Sequence, residues 1–205
     1  MGGYGGRFAY REIIAIVTGL CLLAGAWAQG KSAGLDRDIY DPGKLKATAS
    51  EAKLKAGDTA PDFSLPDLSG NAVKLSEFRG KKNVVLSFIP AAWTPVCSQQ
   101  WPGYNIARAL FEKNDAVVLG ISVDNTPTLY AWTKQMGELW FPVLSDFWPH
   151  GAVAQRYGVL REDGVAERAL FVIDKQGTIR YMDVHDINTM PKLEDLIEEL
   201  EKIGK

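Results

Sequence analysis

The chain has 205 residues, 46% of them hydrophobic and 23% charged, which suits one domain of ordinary size plus appendages. A formal net charge of −2 gives no basic footprint for nucleic acid. Two cysteines, Cys21 and Cys97, exclude a disulfide framework or a Cys-rich zinc site. His150 and His185 stand without metal-ligand spacing, so neither a metal nor a cofactor is expected.

In chain order, Arg7 and Arg11 precede an apolar run from Ile13 to Ala28 that closes on Ala26-Trp27-Ala28. A positive flank, a short apolar stretch and an A-x-A ending read as a signal peptide over residues 1–28. The run falls short of the ~20 residues that span a bilayer. The expected destination is export, periplasmic or secreted, with a membrane anchor holding the domain outside the cytoplasm as the alternative. Cys21 follows Leu20, where a lipoprotein signal needs a small residue. Residues 29–53 carry Gly30, Gly34, Pro42 and Gly43 without periodicity, and read as a linker or loosely packed arm. The compact domain is expected over 54–205.

Within it, Phe63-Ser64-Leu65 and Val73-Lys74-Leu75 flank Ser69-Gly70-Asn71 as a small hairpin, and Ser76-Glu77-Phe78 starts a single helical turn. Residues 83–89 form a continuous apolar strand, and Ser98 to Lys113 a helix. Ala116 to Val123 is a second buried strand. Thr126 to Gly137 is a helix with Asn125 as cap. A short strand from Phe141 to Leu144 and a helix from Gly151 to Tyr157 follow. Residues 169–173 are a third strong strand, which turns through Asp174-Lys175-Gln176-Gly177 and returns antiparallel from Thr178 to Val184. Leu193, Leu196, Ile197, Leu200 and Ile203 make one face of a last helix. Strands alternating with helices predict an α/β fold, thioredoxin-like, with a central mixed sheet flanked by helices and an N-terminal β-hairpin.

The chemistry concentrates in Pro90-Ala91-Ala92-Trp93-Thr94-Pro95-Val96-Cys97. Cys97 lies at the end of a strand and in the first turn of a helix. Unpaired backbone N–H groups and the positive end of the helix dipole there favour the thiolate, which is the nucleophile. The alternative is a buried structural cysteine. Pro90 and Pro95 restrict the loop. Thr94, three residues before the cysteine, can bring its hydroxyl to the same face to donate and accept, or can serve as an N-cap. Arg168, read from charge pattern alone, would pair on the surface with Glu167 or Asp163.

Pro90, Thr94 and Cys97 match the P-x-x-x-[TS]-x-x-C motif of the peroxiredoxins, which this chain resembles. The resemblance runs from Ala60-Pro61-Asp62-Phe63 to Ile203. It includes Pro142-Val143-Leu144-Ser145-Asp146, and Glu167-Arg168-Ala169-Leu170-Phe171-Val172-Ile173-Asp174, where Arg168 falls on the family's active-site arginine. Ser145-Asp146-Phe147-Trp148-Pro149-His150-Gly151-Ala152 resembles the one-cysteine, alkyl-hydroperoxide-reductase-E-like bacterial branch. The resemblance implies a thiol-dependent peroxidase that reduces hydrogen peroxide and organic hydroperoxides through a Cys97 sulfenic acid. Arg168 would orient the peroxide and the backbone N–H groups of Val96 and Cys97 would stabilise charge on the reacting oxygens. Trp93, Trp101 and Trp148 could suit organic hydroperoxides or simply pack; Trp93 is taken as the candidate substrate contact. A homodimer is also implied.

Three departures stand out. Gln100 replaces a glutamate common among relatives, leaving the arginine a neutral partner. Ile89 stands where relatives often carry an aromatic. No cysteine follows Cys97, so unless Cys21 is retained the sulfenic acid needs an external thiol, either a small thiol or a thioredoxin- or glutaredoxin-like protein. Two other readings compete. An exported thioredoxin-like thiol-disulfide oxidoreductase would need a second thiol, but Cys97-Ser98-Gln99-Gln100 lacks one. A non-enzymatic binding protein could share the fold.

Overall fold

The computed structural model describes residues 38–51 and 53–203; residues 1–28, with Cys21 and the expected export signal, lie outside them. A small antiparallel hairpin comes first, β1 (Ser64–Pro66) and β2 (Ala72–Lys74), with Leu65 opposite Val73. A 3-10 turn over Leu75–Phe78 leads away from it. The main sheet has five strands: β3 (Asn83–Phe88), β4 (Ala116–Ser122), β5 (Val143–Ser145), β6 (Arg168–Ile173) and β7 (Ile179–His185), in the order β5-β4-β3-β6-β7. β3 runs parallel to β4 and antiparallel to β6; β4 and β5 are parallel, β6 and β7 antiparallel. The mixed sheet and the hairpin are as the sequence predicts.

Every residue of β3 and of β6 is buried, as expected of central strands covered on both faces. On one face the rings of Phe88, Tyr157 and Phe171 meet with centroids 5.0–5.9 Å apart. On the other, Trp101 packs against Trp132 at 5.2 Å and Phe141 at 6.1 Å. Gly120 of β4 makes room for that indole, since a Cβ there would sit 2.7 Å from a ring carbon of Trp101.

The helix predicted over Ser98 to Lys113 is two helices, α1 (Cys97–Ile106) and α2 (Arg108–Lys113), joined at Ala107 with φ −83 and ψ 9. The bend follows Asn105, whose amide is drawn sideways to Glu138 and Trp140. Helix α3 (Thr126–Met136) has the expected cap, with Asn125 accepting from the Thr128 N–H at 3.0 Å. Helix α4 (Ala152–Arg156) starts after Gly151, and α5 (Leu193–Ile203) buries Leu196, Ile197 and Leu200.

The segment before residue 54, read as a loose arm, is over residues 39–51 laid along the domain by hydrogen bonds. Tyr40 N–H donates to the Trp93 carbonyl at 2.7 Å, Ile187 N–H to the Ala47 carbonyl at 3.0 Å, and the Ala49 and Ser50 N–H groups to Glu167 Oε1 at 2.6 and 2.8 Å. Its partners are far away in sequence, which is why no local pattern announces them.

Candidate active site

Cys97 is the first residue of α1, just past the C-terminal end of β3, and is wholly buried. Val96 precedes it as N-cap without a side-chain cap. The Thr94 hydroxyl donates instead to the Ala91 carbonyl at 2.9 Å, so Thr94 is not the cap, and its oxygen lone pairs are left to accept. Among the described residues the N–H groups of Val96 and Cys97 find no backbone acceptor, as the geometry of a helix start requires. Trp93 bends the loop with φ 63, a conformation uncommon outside glycine.

Arg168, the first residue of β6, reaches Cys97 from the neighbouring strand. Its two terminal nitrogens each lie 3.5 Å from Sγ. The same guanidinium donates to Gln100 Oε1 at 2.7 Å and to the Ile187 carbonyl at 3.0 Å. With 2% of its surface exposed, Arg168 is not the surface ion-pair residue of the charge-pattern reading. Glu167 and Asp163 are paired with Arg161 instead, at 2.8 and 3.3 Å. Burial alone would lower Arg161, but the bond and charge of Glu167 outweigh it and hold the guanidinium above its ordinary value.

Behind the arginine the polar groups continue inward. Gln100 Nε2 donates to Tyr104 Oη at 3.0 Å and to Ser87 Oγ at 3.3 Å, and Trp101 Nε1 donates to Ser87 Oγ at 3.1 Å. Burial pushes the Tyr104 phenol up to about 12, against the opposing pull of its bond to Gln100, so Tyr104 stays neutral. The partner of Arg168 on this side is therefore an uncharged amide, and the guanidinium's positive charge is not cancelled there. At the loop, Asp124 accepts from the Ala92 N–H at 2.7 Å and from Ser122 Oγ at 2.6 Å, fixing its start.

A cavity of about 270 Å³ is lined by Pro90, Thr94, Arg168 and Val96, the last two being the contact and the chain neighbour of Cys97, which does not itself line it, and is bounded on one side by Pro42 to Leu45 of the arm. Pro90, Thr94 and Arg168 thus come together as expected, and Val96 stands with them. Trp93 does not line the cavity; its carbonyl holds Tyr40. Trp101 is core, and Trp148 is 82% exposed. Gln100 was visible in sequence as a departure from relatives. Ile187, Asn188 and the arm residues were not, because they act through backbone groups or through contacts distant in sequence. His150 meets the Gly164 carbonyl and His185 meets Asp183, and neither lines this cavity.

The model of the AhpC/TSA family matches residues 56–182. Alkyl hydroperoxide reductase E of Mycobacterium tuberculosis is 46% identical over 132 residues, covering 64% of this chain and 86% of the relative. The chloroplastic 2-cysteine peroxiredoxin of Chattonella marina var. antiqua is 33% identical over 159 residues, covering 73% and 80%. Among solved structures, peroxidoxin BcpB of Mycobacterium tuberculosis superposes with a TM-score of 0.65 at 29% identity, covering 73% of this chain and 98% of the other. Reduced 2-Cys peroxiredoxin of Plasmodium vivax gives 0.66 at 28% identity, covering 71% and 80%.

Proposed function

This chain belongs to the AhpC/TSA family, and from that premise we propose that Cys97 is the seat of its thiol-dependent peroxidase chemistry, with Thr94, Pro90 and Arg168 completing the site. The observation that carries the assignment is the buried guanidinium of Arg168, with two nitrogens 3.5 Å from Sγ, beside a cavity lined by the rest of the motif. A guanidinium offers positive charge and a planar donor fork to an anionic sulfur and an oxygen pair at once. It holds its proton throughout and so is no acid catalyst.

The Cys97 thiolate attacks the terminal oxygen of a hydroperoxide along the O–O axis. The S–O bond forms, the O–O bond breaks, and the electron pair leaves on the other oxygen, the one bonded to the organic group, as alkoxide, or as hydroxide from hydrogen peroxide. That oxygen takes a proton from water, giving an alcohol or water and a Cys97 sulfenic acid. Thr94, whose own proton is held by Ala91, accepts from the peroxide O–H. Arg168 and the N–H groups of Val96 and Cys97 stabilise the charge that moves between the oxygens.

Cys97 is the only cysteine among the described residues, so a thiol from outside the domain returns the sulfur to its starting state. A first thiol displaces water to form a mixed disulfide, and a second releases the thiolate and a disulfide product. A small thiol or a thioredoxin- or glutaredoxin-like protein fits this role, and a homodimer fits the family. Export is supported by the Arg-flanked apolar run ending in Ala26-Trp27-Ala28; N-terminal sequencing of the exported protein is expected to begin at Gln29, and a start at Met1 in a membrane fraction would favour the anchor.

The Cys97→Ser variant tests the centre of the mechanism. Peroxide consumption with a thiol reductant is expected to vanish while the circular dichroism spectrum stays that of wild type. Near-normal turnover by a folded variant would remove Cys97 from the mechanism.

A further inference from the structure

Residues 40–45 run between two anchors, and four of them form one wall of the cavity. At one end the Tyr40 N–H is tied to the Trp93 carbonyl at 2.7 Å. At the other, Leu45 is held on both backbone groups by one side chain: its N–H donates to Asn188 Oδ1 at 2.8 Å and its carbonyl accepts from Asn188 Nδ2 at 2.9 Å. The Asn188 amide is itself oriented by Asp186 Oδ1 at 2.7 Å. Between the anchors the chain is stiffened. Asp41 Oδ1 accepts from the Gly43 N–H at 2.8 Å, Gly43 takes φ 71, which glycine adopts without strain, and Pro42 has a restricted φ. Four consecutive strap residues, Pro42 to Leu45, line the cavity opposite Thr94 and Arg168.

Just beyond the strap, the arm also reaches the arginine through the backbone of one residue, Ile187. The Ala47 carbonyl accepts from the Ile187 N–H, and the Ile187 carbonyl accepts from Arg168. The strap itself precedes residue 56, where the match to the family model begins.

The volume bears on what it does. A cavity needs only about 10–15 Å³ of such volume to hold a water, so one of about 270 Å³ is far larger than hydrogen peroxide requires. The remainder has room for a substituent, and Pro42, Leu45, Pro90 and Pro95 offer it apolar walls. A compact alkyl or aryl group fits the space bounded by the strap, whereas a long acyl chain exceeds it.

We propose that residues 40–45 are the specificity-determining wall of this active site, admitting hydroperoxides with a compact organic group and disfavouring long-chain ones. This rests on the assignment of Cys97 as the reacting thiol. The test uses the full chain and its Leu45→Ala and Asn188→Ala variants, the first shortening the wall and the second untying it. The rate of Cys97 thiol loss is measured with hydrogen peroxide, cumene hydroperoxide and a linoleic acid hydroperoxide. Wild type is expected to react faster with cumene hydroperoxide than with the linoleic one. Each variant is expected to raise the ratio of linoleic to cumene rates by about tenfold, the scale on which pocket-wall changes discriminate substrates. Ratios within twofold of wild type in both folded variants overturn the strap's role while leaving Cys97 chemistry intact. Wild type that loses no thiol to any of the three peroxides overturns the Cys97 assignment, and the strap's role with it.

Discussion

Arg168 meets three acceptors with one planar group: the sulfur, the Gln100 amide oxygen and the Ile187 carbonyl. The last two hold the plane in place, so the fork toward Sγ is set before substrate arrives. Hydrogen bonds to a charged group contribute about 1.5–3 kcal/mol, and 1.4 kcal/mol is about tenfold in rate. Arg168→Met is therefore expected to slow peroxide attack by roughly 10–100-fold, even at a pH where wild type and variant are both fully thiolate. Arg168→Lys is expected to rescue only part of this, because an ammonium lacks the fork. Stopped-flow thiol oxidation against pH checks both, and an undiminished rate for Arg168→Met would show that positioning does not depend on it. At this scale Cys97 and Thr94 were legible from spacing and chain position. Arg168 was not, since its neighbours in sequence are acidic and point to a surface pair; only the family resemblance placed it. Asn188 was invisible, because an asparagine after a strand has no local mark of the segment it will clasp.

At the scale of elements, the strands followed directly from apolar runs, since β3 and β6 are buried on both faces and need no alternation. The bend at Ala107 did not follow; beside it Asn105 is bonded to a loop some thirty residues on, a contact with no local mark in the sequence. The docking of residues 39–51 was missed for a related reason: the arm is held by its backbone, and backbone donors look alike in every sequence. Its inner end depends on the buried pair of Arg161 and Glu167. Glu167 Oε2 faces Arg161 while Oε1 receives the Ala49 and Ser50 N–H groups, and Arg161 also donates to the Lys46 carbonyl at 3.2 Å. Arg161→Met leaves a carboxylate without its charge partner in the interior, which typically costs about 3–5 kcal/mol. Urea denaturation is expected to show a loss of that order, and limited proteolysis to show new cleavage within residues 39–51. Unchanged stability would mean that the backbone N–H groups alone satisfy Glu167.

For the molecule as a whole, the response to acid follows from carboxylates at turns. Backbone and side-chain bonds from Asn188 hold Asp186 below the ordinary 3.8, and bonds from Lys175 and Lys82 do the same for Asp115. For Asp67, burial pulls upward but the bonds from Asn71 and Ser69 outweigh it. A carboxyl lowered in the folded state contributes stability that is present above its unfolded value and is lost as pH falls through its folded value. Asp146 runs the other way: burial raises it despite the N–H bonds from Ala154 and Val153, so its contribution improves as pH falls below its folded value. With more lowered than raised groups, the melting temperature is expected to hold from pH 7 to about 5 and then to fall below about pH 4. Calorimetry across that range checks this, and a melting temperature that rises on acidification would place Asp146 in control.

The bonded path that runs inward from the sulfur ends on an indole. Sγ faces Arg168, Arg168 holds Gln100, Gln100 meets Ser87, and Ser87 accepts from Trp101. Trp132 closes a second route, donating to Ser98 Oγ at 3.1 Å, one residue beyond the cysteine. Charge lost or gained at Cys97 thus changes the field on two buried chromophores in contact with each other. The enzyme carries its own optical reporter: intrinsic tryptophan emission is expected to track each oxidation and re-reduction of Cys97 in real time, with no label attached.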